Sequence, residues 1–394
     1  MFEGYMKKII FLSIGMFALG LDAYVIAGIL PAIGLTYGTS EAQNAQTVTA
    51  FTLCYAVAAP LFSALLAGKS VRKILSVALV IFSVANIGSA LSPDLHTLLF
   101  FRAIAGTGAG LFSPVAAAAA AALVSPERKG RALSMILGGM STGTVIGVPL
   151  GLILSSHFGW QSTLWLVTVI GVVGLIGVVA GFPDITVSTP PSLSARFKML
   201  GNRQVAATVG VTFLTALASL GLYTFIAPVL KEVSDVNAIT PYLWAWGIGG
   251  MIASFSVGHV IDWCKKPAIL LVFILLIMAL SLLSIPITSQ YGPAFAFLSF
   301  ILWGATGWSS LAPQQHSLLR MQPEHGAAVV ALNSSSNYLG GAVGTICGGL
   351  LISYGIHASN LPYFAGTVAA LALVSHLGIL ASRRTAAREN SFNN

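Results

Sequence analysis

Two side chains in this 394-residue sequence are of the type, and in the setting, to handle a proton. Asp22 lies in the apolar run 9–33, and Arg102 lies in the run 97–123. A carboxyl held away from bulk water favours its protonated form, whereas a guanidinium beside it favours the ionised form. An Asp between these influences can exchange a proton as access alternates between two sides. Arg stays charged at any ordinary pH, so Arg102 can only bias that exchange. Insertion scales put either charge at about 2.5–3.5 kcal/mol against a helix centre, so each needs a pocket, a partner or water. The plainer reading is a static ion pair that satisfies both charges.

Phe51, Tyr55, Phe112, Tyr223, Trp303, Trp308, Asn333 and Asn337 are the aromatic and amide groups best suited to line a substrate cavity. The same residue types also serve as ordinary packing. The seven histidines and three cysteines show no metal-ligand spacing, so no metal and no cofactor are expected. Phosphate-cradling loops and nucleophile motifs are missing as well.

A third pattern concerns shape. Gly139, Gly143, Gly147 and Gly151 recur every four residues, drawing a bare stripe along a helix that a neighbouring backbone can approach closely. Pro149 removes one helical hydrogen bond and predicts a bend. The stripe returns as Gly340, Gly344 and Gly348, offset by 197 residues, which points to an internal duplication. By a proline-anchored alignment, Asp22 corresponds to Ser219, so any proton coupling belongs to the first half.

These residues must be positioned by membrane helices. Hydrophobic residues make up 56% of the chain, charged ones only 8%, and the mean hydropathy is +0.88. A soluble domain is about 25% charged. Twelve spans are predicted at 9–33, 45–67, 74–91, 97–123, 132–155, 162–182, 204–229, 240–261, 268–287, 293–316, 327–354 and 362–382. They divide into an N-terminal six-helix bundle (1–182), a cytoplasmic linker (183–203) and a C-terminal six-helix bundle with a short tail (204–394). The first run continues without a cleavage site and reads as a retained helix, starting from Met1 or Met6. The net charge of +8 is not a nucleic-acid footprint. Seventeen of the nineteen Lys and Arg residues fall on one side of the alternating threading, which places both termini in the cytoplasm.

The ordered motifs resemble those of the major facilitator superfamily, in particular its twelve-span drug:proton antiporters and their bacterial sugar- and nucleoside-efflux relatives. Arg102-x3-Gly106-x3-Gly110 is similar to a fourth-span motif whose arginine is implicated in proton transfer. Gly139 through Gly151, with Val148-Pro149-Leu150, is similar to the fifth-span motif of exporters. Ser125-Pro-Glu-Arg-Lys-Gly-Arg131, Gly159-Trp160, Asp22 with Leu30-Pro31, and Tyr223-Thr-Phe-Ile-Ala-Pro228 add further matches. The loop after the second span departs from the family pattern. It reads Ser63-Ala-Leu-Leu-Ala67-Gly-Lys-Ser-Val-Arg72, keeping the basic end but lacking the acid of the family's charged latch. The second-half copy keeps Gly258 and Asp262, to which the latch is expected to have moved.

The resemblance implies an all-α membrane protein of the major facilitator fold, monomeric in the bacterial inner membrane, exporting a small-molecule substrate in exchange for protons. Closure is expected from packing of the fifth span on the eighth and of the eleventh on the second, where Ala56, Ala59, Gly250 and Ala253 are small. The alternatives are a symporter or facilitator importing a metabolite and, from another class, a sensor or lipid-modifying enzyme. The latter two would require an output domain or a catalytic cluster, and the sequence offers neither.

Overall fold

The computed structural model describes residues 2–65, 69–125, 129–186, 198–234, 238–322 and 326–392. The first half comprises α1 (Phe2–Tyr37), α2 (Glu41–Leu65), α3 (Val71–Ala90) and α4 (Leu95–Ala122). It continues with α5 (Lys129–Thr142), a π-helical turn (Gly143–Gly147), α6 (Val148–Phe158) and α7 (Gln161–Gly181). The second half comprises α8 (Arg203–Tyr223), α9 (Ile226–Ser234), α10 (Thr240–Cys264) and α11 (Pro267–Thr288). After these come α12 (Pro293–Ser309), α13 (Leu311–Met321), α14 (Gly326–Ser353) and α15 (Leu361–Phe392).

Eleven of the described helices, counting continuous pairs once, are long and apolar enough to cross a membrane. The predicted eleventh span, α14, is a 28-residue helix, but the run Asn333–Asn337 dilutes its apolar character. It tolerates that run because it is wedged between α8 and α2. On α3 the buried residues Ile74, Leu75, Ala78, Leu79 and Phe82 oppose an outward stripe of Val77, Val80 and Val84. A helix apolar on its outer face as well suits a lipid surround.

The glycine stripes settle inside each half. A Cβ on Gly139 would strike the carbonyl of Ser13, and one on Gly143 the carbonyl of Phe17. Gly340 and Gly344 abut the carbonyls of Phe213 and Leu217 in the same way. The fifth span therefore buries its stripe against the first span, not the eighth as predicted. It meets the eighth only around the π turn and α6, where a Cβ on Gly247 would lie 3.3 Å from Val145. The eleventh span does pack along the second, but with a face other than its stripe, which is turned toward α8. Spacing reveals that a face is bare; it does not reveal which neighbour takes it.

The prolines act differently in the two halves. Pro31 and Pro114 lie within continuous helices, whereas Pro228 and Pro313 follow breaks after Tyr223 and Ser309. Ahead of Pro149 the irregularity is a widened turn, with Val148 N–H donating five residues back to Gly143 O. Such π turns are a recognised way for a helix to absorb a local mismatch.

Most of the predicted linker, residues 187–197, and the segment Pro126–Arg128 fall outside the described residues. Ser70 hydrogen-bonds the Asp184 carboxylate, and Val71 N–H donates to Ile185 O at 2.9 Å. The loop after α2 is thereby fastened to the chain leaving α7. Among the described residues Arg72 and Asp262 form no ion pair, and Gly258 has open space beside it.

On α9, Glu232 accepts the Ser359 N–H at 2.9 Å and ties α9 to the turn before α15. Partial burial pulls this carboxyl up, but the backbone N–H groups of Ser359 and Ala358 outweigh it and hold it below its ordinary 4.5. Its stabilisation is thus present above pH 4.5 and is lost as pH falls through the lower folded value. Thermal unfolding should show the parent above Glu232→Gln at pH 7, with the gap closing under acid; a gap that persists at about pH 3 contradicts this.

Candidate functional site

The core of the first half is built around one ion pair. Asp22 on α1 and Arg102 on α4 are both buried, and Nη1 donates to Oδ1 at 2.6 Å. Charge-assisted contacts of this length are the strong ones. Asn86 on α3 donates to Asp22 Oδ2 at 3.4 Å and to its own helix at Phe82 O. The Phe51 ring of α2 lies 4.5 Å from the guanidinium carbon, a desolvated cation–π contact. Four helices therefore converge on one ion pair. Gly106 permits this, since a Cβ there would strike the Phe51 carbonyl, so α2 and α4 sit backbone to backbone.

The setting is polar but incompletely satisfied. Asn86 Oδ1, Arg102 Nε, Ser83 Oγ and Ser89 Oγ have no hydrogen-bond partner among the described residues. Such groups are uncommon in a protein interior, and an ordered water is one way to satisfy them.

At the position equivalent to Asp22, Ser219 on α8 accepts the Trp303 indole N–H at 2.8 Å. A neutral pair thus stands in the second half where a charged one stands in the first.

Between the halves lies an aromatic cluster. Tyr24 of α1 meets Tyr223, Trp246 and Trp308 at ring distances of 5.4, 5.6 and 6.3 Å. Tyr55 of α2 lies 3.9 Å from Tyr338 of α14. Of the sequence-predicted residues, Asp22, Arg102 and Phe51 come together in the first half, while Tyr223, Trp303 and Trp308 join the cluster. Asn333 bonds Thr212 at 2.6 Å, Asn337 is half-buried beside Tyr338, and Phe112 packs on Gly15 away from the cluster. Sequence reasoning missed Asn86, Tyr24, Trp246, Tyr338 and Gln314. The signal for Asn86 was an amide in an otherwise apolar span; Tyr24 lay two residues from the Asp already singled out.

An all-helical membrane protein with a repeated glycine stripe, an enclosed ion pair and an aromatic seam between halves is of the transporter class. A family model described as Major Facilitator Superfamily matches residues 12–345, and the chain belongs to that family. The inner membrane transport protein YdhP of Escherichia coli (strain K12) is 28% identical, covering 92% of this chain and 93% of that one. A chloramphenicol resistance protein of Streptomyces lividans is 27% identical over 263 residues, 65% of this chain and 67% of that one. The crystal structure of a D-xylose-proton symporter superposes with a TM-score of 0.77 at 16% identity, covering 94% of this chain and 97% of that chain. That likeness is one of fold.

Proposed function

We propose that the protein exports a small organic compound across the bacterial inner membrane in exchange for protons. The observation carrying this reading is the Asp22–Arg102 pair, enclosed by four helices, with Arg102 Nε and the Oδ1 of its neighbour Asn86 left unsatisfied. Asp22 takes up a proton when its pocket faces outward, which releases Arg102, and returns the proton to the cytoplasm. One elementary charge crossing the membrane is worth about 2.3 kcal/mol per 100 mV, enough to drive uphill export. Efflux rather than uptake is supported by the exporter-like fifth-span glycines and by the resistance-protein relative.

In this reading 1–182 and 204–394 move as two bodies joined by 183–203, with both termini cytoplasmic and one chain sufficing. The glycine stripes and Pro149 set the packing within each body, and α2 against α14 forms the moving contact. Arg72, Gly258 and Asp262, at the predicted cytoplasmic ends of their spans, engage only in the other conformation.

Counterflow in proteoliposomes under an imposed pH gradient tests the proposal. Export should accelerate when the gradient drives protons inward and should collapse with a protonophore. Transport indifferent to the gradient removes proton exchange; accumulation of substrate on the side of proton entry makes the protein an importer.

A further inference from the structure

Each buried hydrogen-bonding group left without a partner forfeits about 1–3 kcal/mol, so native interiors hold few. The second half carries an unusual set. Trp246 on α10 and Trp308 on α12 have buried indole N–H groups with no partner among the described residues. Gln314 on α13 is wholly buried, and both ends of its amide are unpartnered. Asn333 Oδ1 accepts from the Thr212 hydroxyl, and its Nδ2 is left unpartnered. Trp303, by contrast, is satisfied by Ser219 and is explained by packing.

Two of these groups stand at the seam and two in a layer within the second half, together one wall of the proposed site. Trp246 and Trp308 lie 5.5 Å apart edge to face, and both touch Tyr24 of the first half. Leu318 of α13 packs with Val209 and Val329. One helical turn from those three residues stand Gln314, Thr212 and Asn333, which therefore share a layer. Asn333 is five residues from Tyr338, the ring that meets Tyr55 across the seam.

The character of the wall is specific. Its unpartnered groups number four donors and a single acceptor, Gln314 Oε1. Away from their terminal turns, α8 and α10–α14 carry no charged side chain. The one deep carboxylate, Asp22, is already held by Arg102. A cation would find no unpaired acid here. The one ionisable base nearby among the described residues, His316, whose Nδ1 is also unpartnered, stands two residues from Gln314 and so on the opposite side of α13.

We propose that this wall binds an uncharged ring compound rich in hydrogen-bond acceptors. The Trp246 and Trp308 rings hold its face, while the N–H groups of Trp246, Trp308, Gln314 and Asn333 take its oxygens or ring nitrogens. The inference rests on the reading of the chain as a small-molecule transporter, but not on proton coupling or on direction.

An equilibrium binding experiment keeps these apart. The full-length protein in nanodiscs is titrated by intrinsic Trp fluorescence with D-xylose, uridine and chloramphenicol as uncharged ring probes, tetraphenylphosphonium as a cation and benzoate as an anion. At least one uncharged probe should saturate and exceed both ions in affinity. Gln314→Leu should weaken it tenfold or more, whereas Ser256→Ala, on the exposed face of α10, should bind like the parent. If Gln314→Leu does not fold, Trp308→Phe keeps an aromatic face, removes the N–H, and should weaken binding several-fold. Preferential binding of either ion, no saturation by any uncharged probe, or affinity unchanged in both variants overturns the proposal.

Discussion

Replacing Arg102 by Ala should leave little folded protein in the membrane. Asp22 would remain enclosed with only the long Asn86 contact and no counter-charge. Removing one partner of a buried pair costs about 3–5 kcal/mol, against a total stability of about 5–15 kcal/mol for a typical domain. The doubly neutral variant, Asp22→Asn with Arg102→Gln, removes both charges and should recover most of the folded yield, because the desolvation cost disappears with the attraction. It should not recover transport driven by a pH gradient, since the exchangeable proton is gone. Detergent-solubilised yield and thermal unfolding read the first outcome, and gradient-driven counterflow reads the second. Parent-like melting of Arg102→Ala would show that the pair contributes nothing to holding the half together; gradient-driven transport by the double variant would remove Asp22 as the proton carrier.

Gly143→Ala should cripple the protein through a single methyl group. The added carbon would land on the Phe17 carbonyl, a backbone atom that cannot rotate aside, so α5 and α1 must separate. Overpacking of this kind costs about 1–3 kcal/mol, and Leu at the same place should abolish turnover altogether. Gly139→Ala should behave alike against Ser13. Gly147→Ala should be milder, because its nearest neighbours are side-chain carbons of Leu21 and Phe17 at 3.2–3.3 Å. Gly138 supplies the internal control: nothing lies within 4 Å of its added carbon, and Ala there should be neutral or stabilising by up to about 1 kcal/mol. Melting temperature and initial exchange rate should both fall in the order 138, 147, 143. Equal behaviour of Gly138→Ala and Gly143→Ala would sink the close-approach argument.

Much of this architecture was legible because membrane physics writes in long, simple words. Apolar runs marked the spans, and the 197-residue offset identified α14 as a partner of the fifth span even though its polar run weakens its hydropathy. Asp22 and Arg102 stood out because charges are scarce there, and the structure places them in contact. What stayed hidden was the identity of neighbours. Stripe periodicity could not say that Gly143 faces Phe17 rather than the eighth span. An amide such as Asn86 or Gln314 carries no spacing signature, since its meaning lies in whether a partner is within reach. The π turn before Pro149 was equally unreadable, because a proline dictates a lost hydrogen bond but not how the backbone redistributes the slack.

The exchange of a charged pair at Asp22–Arg102 for a neutral one at Ser219–Trp303 has a wider bearing. The two halves repeat one scaffold, yet at this position only the first carries a carboxyl. An ancestor made of two identical lobes would have carried two carboxylates facing each other across the pathway, repelling one another and competing for the same ion. On the proposed reading, division of labour between a lobe that senses the electrochemical gradient and a lobe that grips cargo removes that conflict.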